Sequence, residues 1–255
     1  MTPLREKYIR LLTLRGYAER THGSYIDAVA GLAKHYWRSP EKLSDEEIQE
    51  YLLGMCRRGL SFSTVNIAVS ALRLLYGGVL GRPMEDLKAL LPRRNKPARV
   101  ARVYAREELR ELFGKGCREP VHRVFLMTVY GSGLRLTEAC RLKVFHIESG
   151  RMMLRVDQGK GRKDRYTILS PGLLKELQEH WMRERPRDWL FPARRGGDGP
   201  MVAGTGQKIF YTALERAGLP NRGGIHSLRH SFATHLLEDG VDILTSVSYT
   251  HLTLP

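Results

Sequence analysis

GGIHSLRHSFATHLLEDG, residues 223–240, decides how the rest of the chain is read. From Ser227 to Glu238 it contains no Gly or Pro, and it stops at Gly240, the residue type that closes helices in the left-handed conformation. Leu228, Phe232, His235 and Leu236 recur at helical spacing, which predicts a helix with one buried face. His226 and Arg229 are three positions apart and so share one side of the helix start. A fixed guanidinium, a titratable imidazole and the positive end of a helix together suit a phosphate. Taken alone, a capping histidine beside a solvated arginine is the stronger reading in a chain this rich in arginine. Matching residues elsewhere weaken it.

The 255 residues hold 42 Lys and Arg against 27 Asp and Glu, a formal charge of +15. A protein this basic usually meets a polyanion, nucleic acid first, with a generally basic proteome as the plainer alternative. At 42% hydrophobic residues the chain is globular, with room for one large domain or two smaller ones. Cys56, Cys117 and Cys140 form no CxxC, and an odd count argues against a disulfide framework, which fits a reducing compartment. The first 17 residues are charged throughout and lack the apolar core of a signal peptide. No apolar run reaches the roughly 18 residues of a spanning helix. These features place the chain in the cytoplasm, away from membranes.

Outward from the opening stretch, the chain reads as two helical parts around a basic joint. Four amphipathic helices are expected before residue 91: Pro3 to Gly16, Glu19 to Trp37, one opening with the capping box Ser44-Asp45-Glu46-Glu47, and one from Ser61 or Ser63 to Gly78. Pro92 to Arg106 carries Arg93, Arg94, Lys96, Arg99, Arg102 and Arg106 with no acid, and its two prolines prevent regular helix. It reads as a linker, better suited to strapping a phosphate backbone than to serving as a solvated tether. Helices follow at 107–113 and 121–130, and a third after Gly131-Ser132-Gly133 carries Arg135. Met152 to Val156 and Arg165 to Leu169 are β-prone and flank a polar turn, a hairpin with Lys160 on its loop. Helices at 171–184 and 207–217 follow, separated by the anchor Trp189 to Pro192 and a Gly-rich basic loop at 194–206. The fold class expected is mainly α with a small β-hairpin.

Arg135, Lys160, His226 and Arg229 come from three elements and are all basic or titratable. They make a poor metal site, since metals want carboxylates, thiolates or several imidazoles. They make a good site for a phosphodiester in transfer. Arginine forks stabilise charge on the non-bridging oxygens, a lysine can protonate a leaving 5′ oxygen, and histidine can shuttle a proton near neutral pH. No metal is required at such a site.

These residues carry a resemblance to the tyrosine recombinases of the phage integrase family, in the branch of Xer-like and integron-like bacterial integrases. The matching motifs are YGSGLRLTEACRL (130–142), GKGRKDR (159–165) and HSLRHSFATHLLEDGVDI (226–243), in order, over a resemblance that covers residues 3–243. The stretch SFSTVNIAVSALRLLY resembles part of the family's core-binding domain. The resemblance implies a SAM-like helical DNA-binding domain at 1–91, a basic linker at 92–106 and a mixed α/β catalytic domain at 107–243, closing as a clamp on duplex DNA. It implies catalytic roles for Arg135, Lys160, His226 and Arg229, with Lys163 as second choice for the lysine. The implied reaction cuts and rejoins DNA through a covalent 3′-phosphotyrosyl link, with several protomers on paired sites and no small-molecule substrate. The interval between the hairpin and His226 is too short for the extra segment of integron integrases, which favours the Xer-like or mobile-element type.

After Ile243 the chain leaves the family pattern. The family places a Gly-His or Trp and then a nucleophilic tyrosine there, and covalent catalysis needs that tyrosine. The tail 244–255 contains no Gly-His, and Tyr249 of Tyr249-Thr250-His251 stands 23 residues after His226 (249 − 226), nearer than the family's tyrosine. Three expectations follow: a foreign tail in place of the true end, a real deletion with Tyr249 still the nucleophile, or a non-catalytic DNA-binding fragment of such a recombinase. A metal-dependent nuclease is disfavoured, because no acidic triad accompanies the motifs.

Overall fold

The structure, a computed structural model, describes residues 2–94, 102–157, 164–193 and 198–241. The chain divides into two compact units, Met1–Arg99 and Val100–Pro255.

In the first unit, α1 (Pro3–Leu14), α2 (Glu19–Tyr36), α3 (Asp45–Arg57) and α4 (Phe62–Gly78) follow the sequence pattern closely. Pro3 stands at the start of α1, where a missing N–H costs nothing. The capping box of α3 forms in both directions: Glu47 N–H donates to Ser44 Oγ at 3.3 Å, and Ser44 N–H donates to Glu47 Oε2 at 2.8 Å. α4 is the axis of the unit, burying eight residues from Val65 to Tyr76 on more than one side. Tyr8 and Leu12 of α1 pack against its Leu74 and Leu75. Two buried phenols are satisfied, Tyr8 by Ala71 O at 2.9 Å and Tyr76 by Pro40 O at 2.7 Å.

Two features differ from expectation. A fifth helix, α5 (Met84–Leu90), follows Pro83; seven residues with only Leu87 buried are too few to display a helical period. The second helix ends at Tyr36, and Trp37 is a left-handed cap with φ 51°, 89% exposed. The start of the basic stretch lies along α4, where Asn66 exchanges hydrogen bonds with the Arg94 backbone at 2.9 and 3.0 Å. Residues 95–101 of that stretch, and the tail 244–255, lie outside the described residues.

The second unit opens with α6 (Arg106–Glu111), which widens into a π-turn over Leu112–Gly116 where a plain helix was expected. Then come α7 (Pro120–Gly131), α8 (Leu136–Cys140), β1 (Ile147–Glu148), β2 (Met153–Val156), β3 (Arg165–Ile168), α9 (Pro171–Glu184), α10 (Ala203–Ala217) and α11 (His226–Glu238). The hairpin forms with Val156 opposite Arg165 and Leu154 opposite Thr167, and β1 adds a third antiparallel strand. β1 is two residues long, too short to show alternation. One core joins the helices to the sheet; Phe125 and Phe191 meet edge to face within it at 5.2 Å.

α10 begins inside the stretch read as a loop. Glycine there serves packing: a Cβ on Gly206 would stand 2.7 Å from Leu136 Cδ1 and 2.9 Å from Phe125 Cζ. Of the face expected for α11, Leu228 and His235 are buried and Phe232 and Leu236 half-buried, and Ser227 and Ser231 are buried with them. Its hydroxyls explain this. Ser231 Oγ accepts the Tyr104 N–H at 2.9 Å and donates to Ser227 O at 2.9 Å, so a polar seam substitutes for part of the apolar one.

Three histidines of this unit are stored neutral. Burial pushes His122, His146 and His180 below their ordinary value of 6.5. His146 Nδ1 accepts the Lys143 N–H at 3.1 Å, so its other nitrogen carries the proton to Asp157 at 2.9 Å. His180 Nε2 donates to Leu190 O at 3.0 Å. A depressed folded pKa means that the unfolded chain binds the proton first. The contribution is therefore complete above the unfolded value and is lost as pH falls through the folded ones. Urea midpoints are expected to be lower at about pH 5.5 than at about pH 7.5. A flat profile would mean that these imidazoles are hydrated.

Candidate active site

The site is assembled around the turn that ends α7. Gly133 has φ +56°, and a Cβ on it would lie 2.5 Å from Phe232 Cδ1 of α11. Only glycine allows both the left-handed backbone and the ring resting on it. That contact brings the first turns of α11 against residues 131–135. Arg229, one turn before Phe232, donates from Nη1 to the Gly133 carbonyl.

Arg135 follows two residues after this turn. It is the extended residue before α8, not a member of the helix. Its position is fixed by Glu138, at the third position of α8. Glu138 Oε2 accepts the Arg135 N–H at 2.8 Å, and Oε1 accepts Arg135 Nη1 at 2.7 Å. Oε2 also accepts Arg165 Nη2 at 2.7 Å from the first residue of β3. Two positions along the same strand face, Thr167 Oγ1 donates to Ser132 O at 2.8 Å. The turn, α8, α11 and β3 therefore meet at one point.

Three guanidiniums (Arg135, Arg165, Arg229) and one carboxylate (Glu138) give the point two excess positive charges (3 − 1). The electrostatics register this. Burial lowers the pKa of Arg229, and the charges of Arg135 and Arg165 lower it further, against the pull of Glu138. Burial alone would raise the Glu138 carboxyl, but the Arg135 N–H and the charges of Arg165 and Arg135 outweigh it and hold the group below its ordinary range. The arrangement is suited to a dianionic or monoanionic oxyanion group such as a phosphodiester.

Of the residues expected from sequence, Arg135 and Arg229 are brought together. His226 is the first residue of α11, on the same turn as Arg229, and is exposed; the residue before it, Ile225, occupies the cap position. Lys160, its competitor Lys163 and Tyr249 lie outside the described residues. Glu138 and Arg165 were missed. Both had a signal: Glu138 follows Arg135 at the i, i+3 spacing of a helix start, and Arg165 closes the GKGRKDR motif. The end of the basic stretch also reaches α11, where Arg106 pairs with Asp239 at 2.7 Å. Among the described residues no group of three or more His, Cys, Asp or Glu stands close enough to share a metal ion.

Known proteins match both units. Residues 104–247 match the phage integrase family, and residues 4–86 match the phage integrase N-terminal SAM-like domain. The chain is 36% identical over 247 residues to the integrase/recombinase y4qK of Sinorhizobium fredii, covering 96% of this chain and 79% of that protein. It is 30% identical over 244 residues to the tyrosine recombinase XerA of Thermococcus onnurineus, covering 93% and 82%. A structure of lambda integrase residues 75–356 bound to DNA superposes with a TM-score of 0.78 at 18% identity, covering 99% of this chain and 91% of that one, a likeness of fold. With a family match over more than half its length and a relative at this identity, the chain belongs to the phage integrase family, the tyrosine recombinases.

Proposed function

We propose that this chain is a site-specific DNA recombinase that cuts and rejoins duplex DNA through a 3′-phosphotyrosyl intermediate. The observation that carries the reading is the meeting of Arg135 and Arg229 at one glycine turn, in a cluster with excess positive charge. The two forks take the non-bridging oxygens of the scissile phosphate and stabilise the charge that grows there as the nucleophile enters. The phenolic oxygen of Tyr249 bonds to phosphorus while the bond to the 5′ oxygen breaks. His226 takes the phenolic proton, and Lys160 gives a proton to the departing 5′ oxygen. Rejoining is the reverse with a new 5′ hydroxyl. Phosphodiester count is conserved, so neither cofactor nor external energy source enters.

The partner is double-stranded DNA, met by a basic chain whose arginines follow phosphates. Solved integrases of this fold are described as a dimer on a core site and a tetramer on a Holliday junction. By the same reading this chain works as a homo-oligomer on paired sites, in the cytoplasm. No helix of the described residues is long and apolar enough to cross a membrane.

The short interval from His226 to Tyr249 favours a second reading, a DNA-binding fragment without strand cleavage. One experiment separates the two. Duplexes selected by the wild-type chain from a random pool are incubated with protein and resolved under denaturing conditions. A covalent adduct with wild type and none with Tyr249→Phe is the expected result. Salt-sensitive binding without any adduct would establish the second reading. An adduct that survives Tyr249→Phe would move the nucleophile elsewhere.

A further inference from the structure

We propose that Arg165 is a positioning residue for this reaction, holding Arg135 in place through the Glu138 carboxylate they share. The proposal rests on the phosphate-site reading above for its functional meaning, but its structural content is independent of it.

The Arg165 side chain is 14% exposed, and Nη2 donates to Glu138 Oε2 at 2.7 Å. Its other terminal nitrogen, Nη1, is sealed from solvent and has no hydrogen-bond partner among the described residues. A guanidinium meant to grip DNA would present its fork outward. This one turns inward, and the group it reaches is Glu138, itself 6% exposed. Charged donors are rarely left without an acceptor in an interior, because the desolvation cost is high. That Arg165 tolerates an unpaired terminal NH2 group points to the bond to Glu138 as what fixes its place.

Glu138 then carries the effect to Arg135. Without Arg165 each carboxylate oxygen would keep one donor, and both donors, the backbone N–H on Oε2 and Nη1 on Oε1, would come from Arg135 itself. Arg165 gives Oε2 a second donor, from β3, which ties the carboxylate to another element and so fixes the direction from which Arg135 approaches. A second tie supports this geometry: Thr167, on the same face of β3, donates to Ser132 O in the turn that leads into Arg135. Ser132 Oγ, like Arg165 Nη1, is buried without a partner, so two of the four such side-chain atoms among the described residues fall at this junction of β3 with the turn. β3 is also the strand entered directly from the segment that carries Lys160. Arg165 thereby links β3 to Arg135, the residue that bears the first arginine's role.

The test uses the full chain labelled with 15N-arginine. The Arg135 Nε–Hε signal is assigned with Arg135→Gln, and its order is measured by heteronuclear relaxation in wild type, Arg165→Gln and Arg165→Lys. Inorganic phosphate is the probe for the site. In wild type the Arg135 signal should be rigid and should shift with phosphate. Arg165→Gln should loosen it and weaken phosphate about tenfold, the size of one lost charge-assisted hydrogen bond, and should lower the thermal midpoint because the buried Glu138 carboxylate loses a charged partner. Arg165→Lys, which keeps the charge but not the fork, should recover only part of both. If Arg165→Gln does not fold, Glu138→Gln replaces it and should free Arg135 in the same way. An Arg135 signal as rigid in these variants as in wild type would overturn the proposal. A wild-type Arg135 signal that ignores phosphate would instead overturn the phosphate-site reading, and the relaxation result would still decide the role of Arg165.

Discussion

Arg229→Ala is expected to bind selected duplex DNA within about threefold of wild type while forming covalent adduct at least ~10²–10³ times more slowly, the loss seen when a pre-organised donor is removed from a developing oxyanion. The asymmetry follows from where Arg229 sits. It is half-buried at the start of α11, tied to the Gly133 carbonyl, and flanked by two other guanidiniums. Overall DNA affinity comes from many phosphate contacts spread over a basic surface, so one buried arginine contributes a small share. Transition-state stabilisation is local, and there the same residue contributes a large share. Stability should hardly fall. The lowered pKa of Arg229 states that the folded chain disfavours its charge, first through burial and then through Arg135 and Arg165. Removing that charge relieves repulsion, which offsets the lost hydrogen bond and the small void. Arg135→Ala should behave alike in the adduct assay but should also cost stability, because it takes one partner from the buried Glu138 carboxylate. Equal losses of binding and adduct formation in Arg229→Ala would remove it from the chemistry and make it an ordinary DNA contact.

How much of this was legible in the sequence can be judged element by element. Long helices with caps were readable, because Ser44 with Glu47, or Pro3 at a helix start, are local chemistry that tertiary contacts do not override. Short elements were not. β1 has two residues and α5 has one fully buried side chain, so neither holds a full period of any pattern. The glycine at 206 misled for a different reason: glycine signals both a turn and a close approach, and only the positions of Leu136 and Phe125 tell which. In the site, Arg135 and Arg229 were readable from motif spacing, but the roles of Glu138 and Arg165 were not. Glu138 matters through the direction of its two oxygens, and Arg165 through which way it turns on β3; a one-dimensional string contains neither. On α11, Ser227 and Ser231 were left off the buried face because hydroxyls, normally counted as polar, close their hydrogen bonds inside the unit.

Gly133→Ala is expected to lower both stability and adduct formation, by about 3 kcal/mol and by ~10²-fold or more, in contrast to Arg229→Ala. Two costs add. A side chain at φ +56° pays roughly 1–2 kcal/mol for the left-handed backbone, and its Cβ would meet Phe232 Cδ1 at 2.5 Å and Cε1 at 2.7 Å, well inside contact distance. An aromatic ring wedged between α7 and α11 can give way only by tilting or by pushing the turn, which adds roughly 1–3 kcal/mol. The turn is the worst place for such a shift. Gly133 O is the acceptor for Arg229, Arg135 lies two residues on, and Ser132 O receives Thr167, so one displacement moves the arginines relative to each other. Gly218→Ala supplies the control: its φ is +65°, yet nothing lies within 4 Å of the added Cβ, so it carries the backbone cost without the clash. Its urea midpoint should fall by about a third of the Gly133→Ala shift, with adduct formation unchanged. Adding Phe232→Ala to Gly133→Ala removes the obstacle, so the double variant should lose less than the sum of the two singles. Equal midpoints for Gly133→Ala and Gly218→Ala, or strict additivity with Phe232→Ala, would mean that the ring does not rest on this turn. The close approach that brings Arg229 to Arg135 would then have to be sought elsewhere.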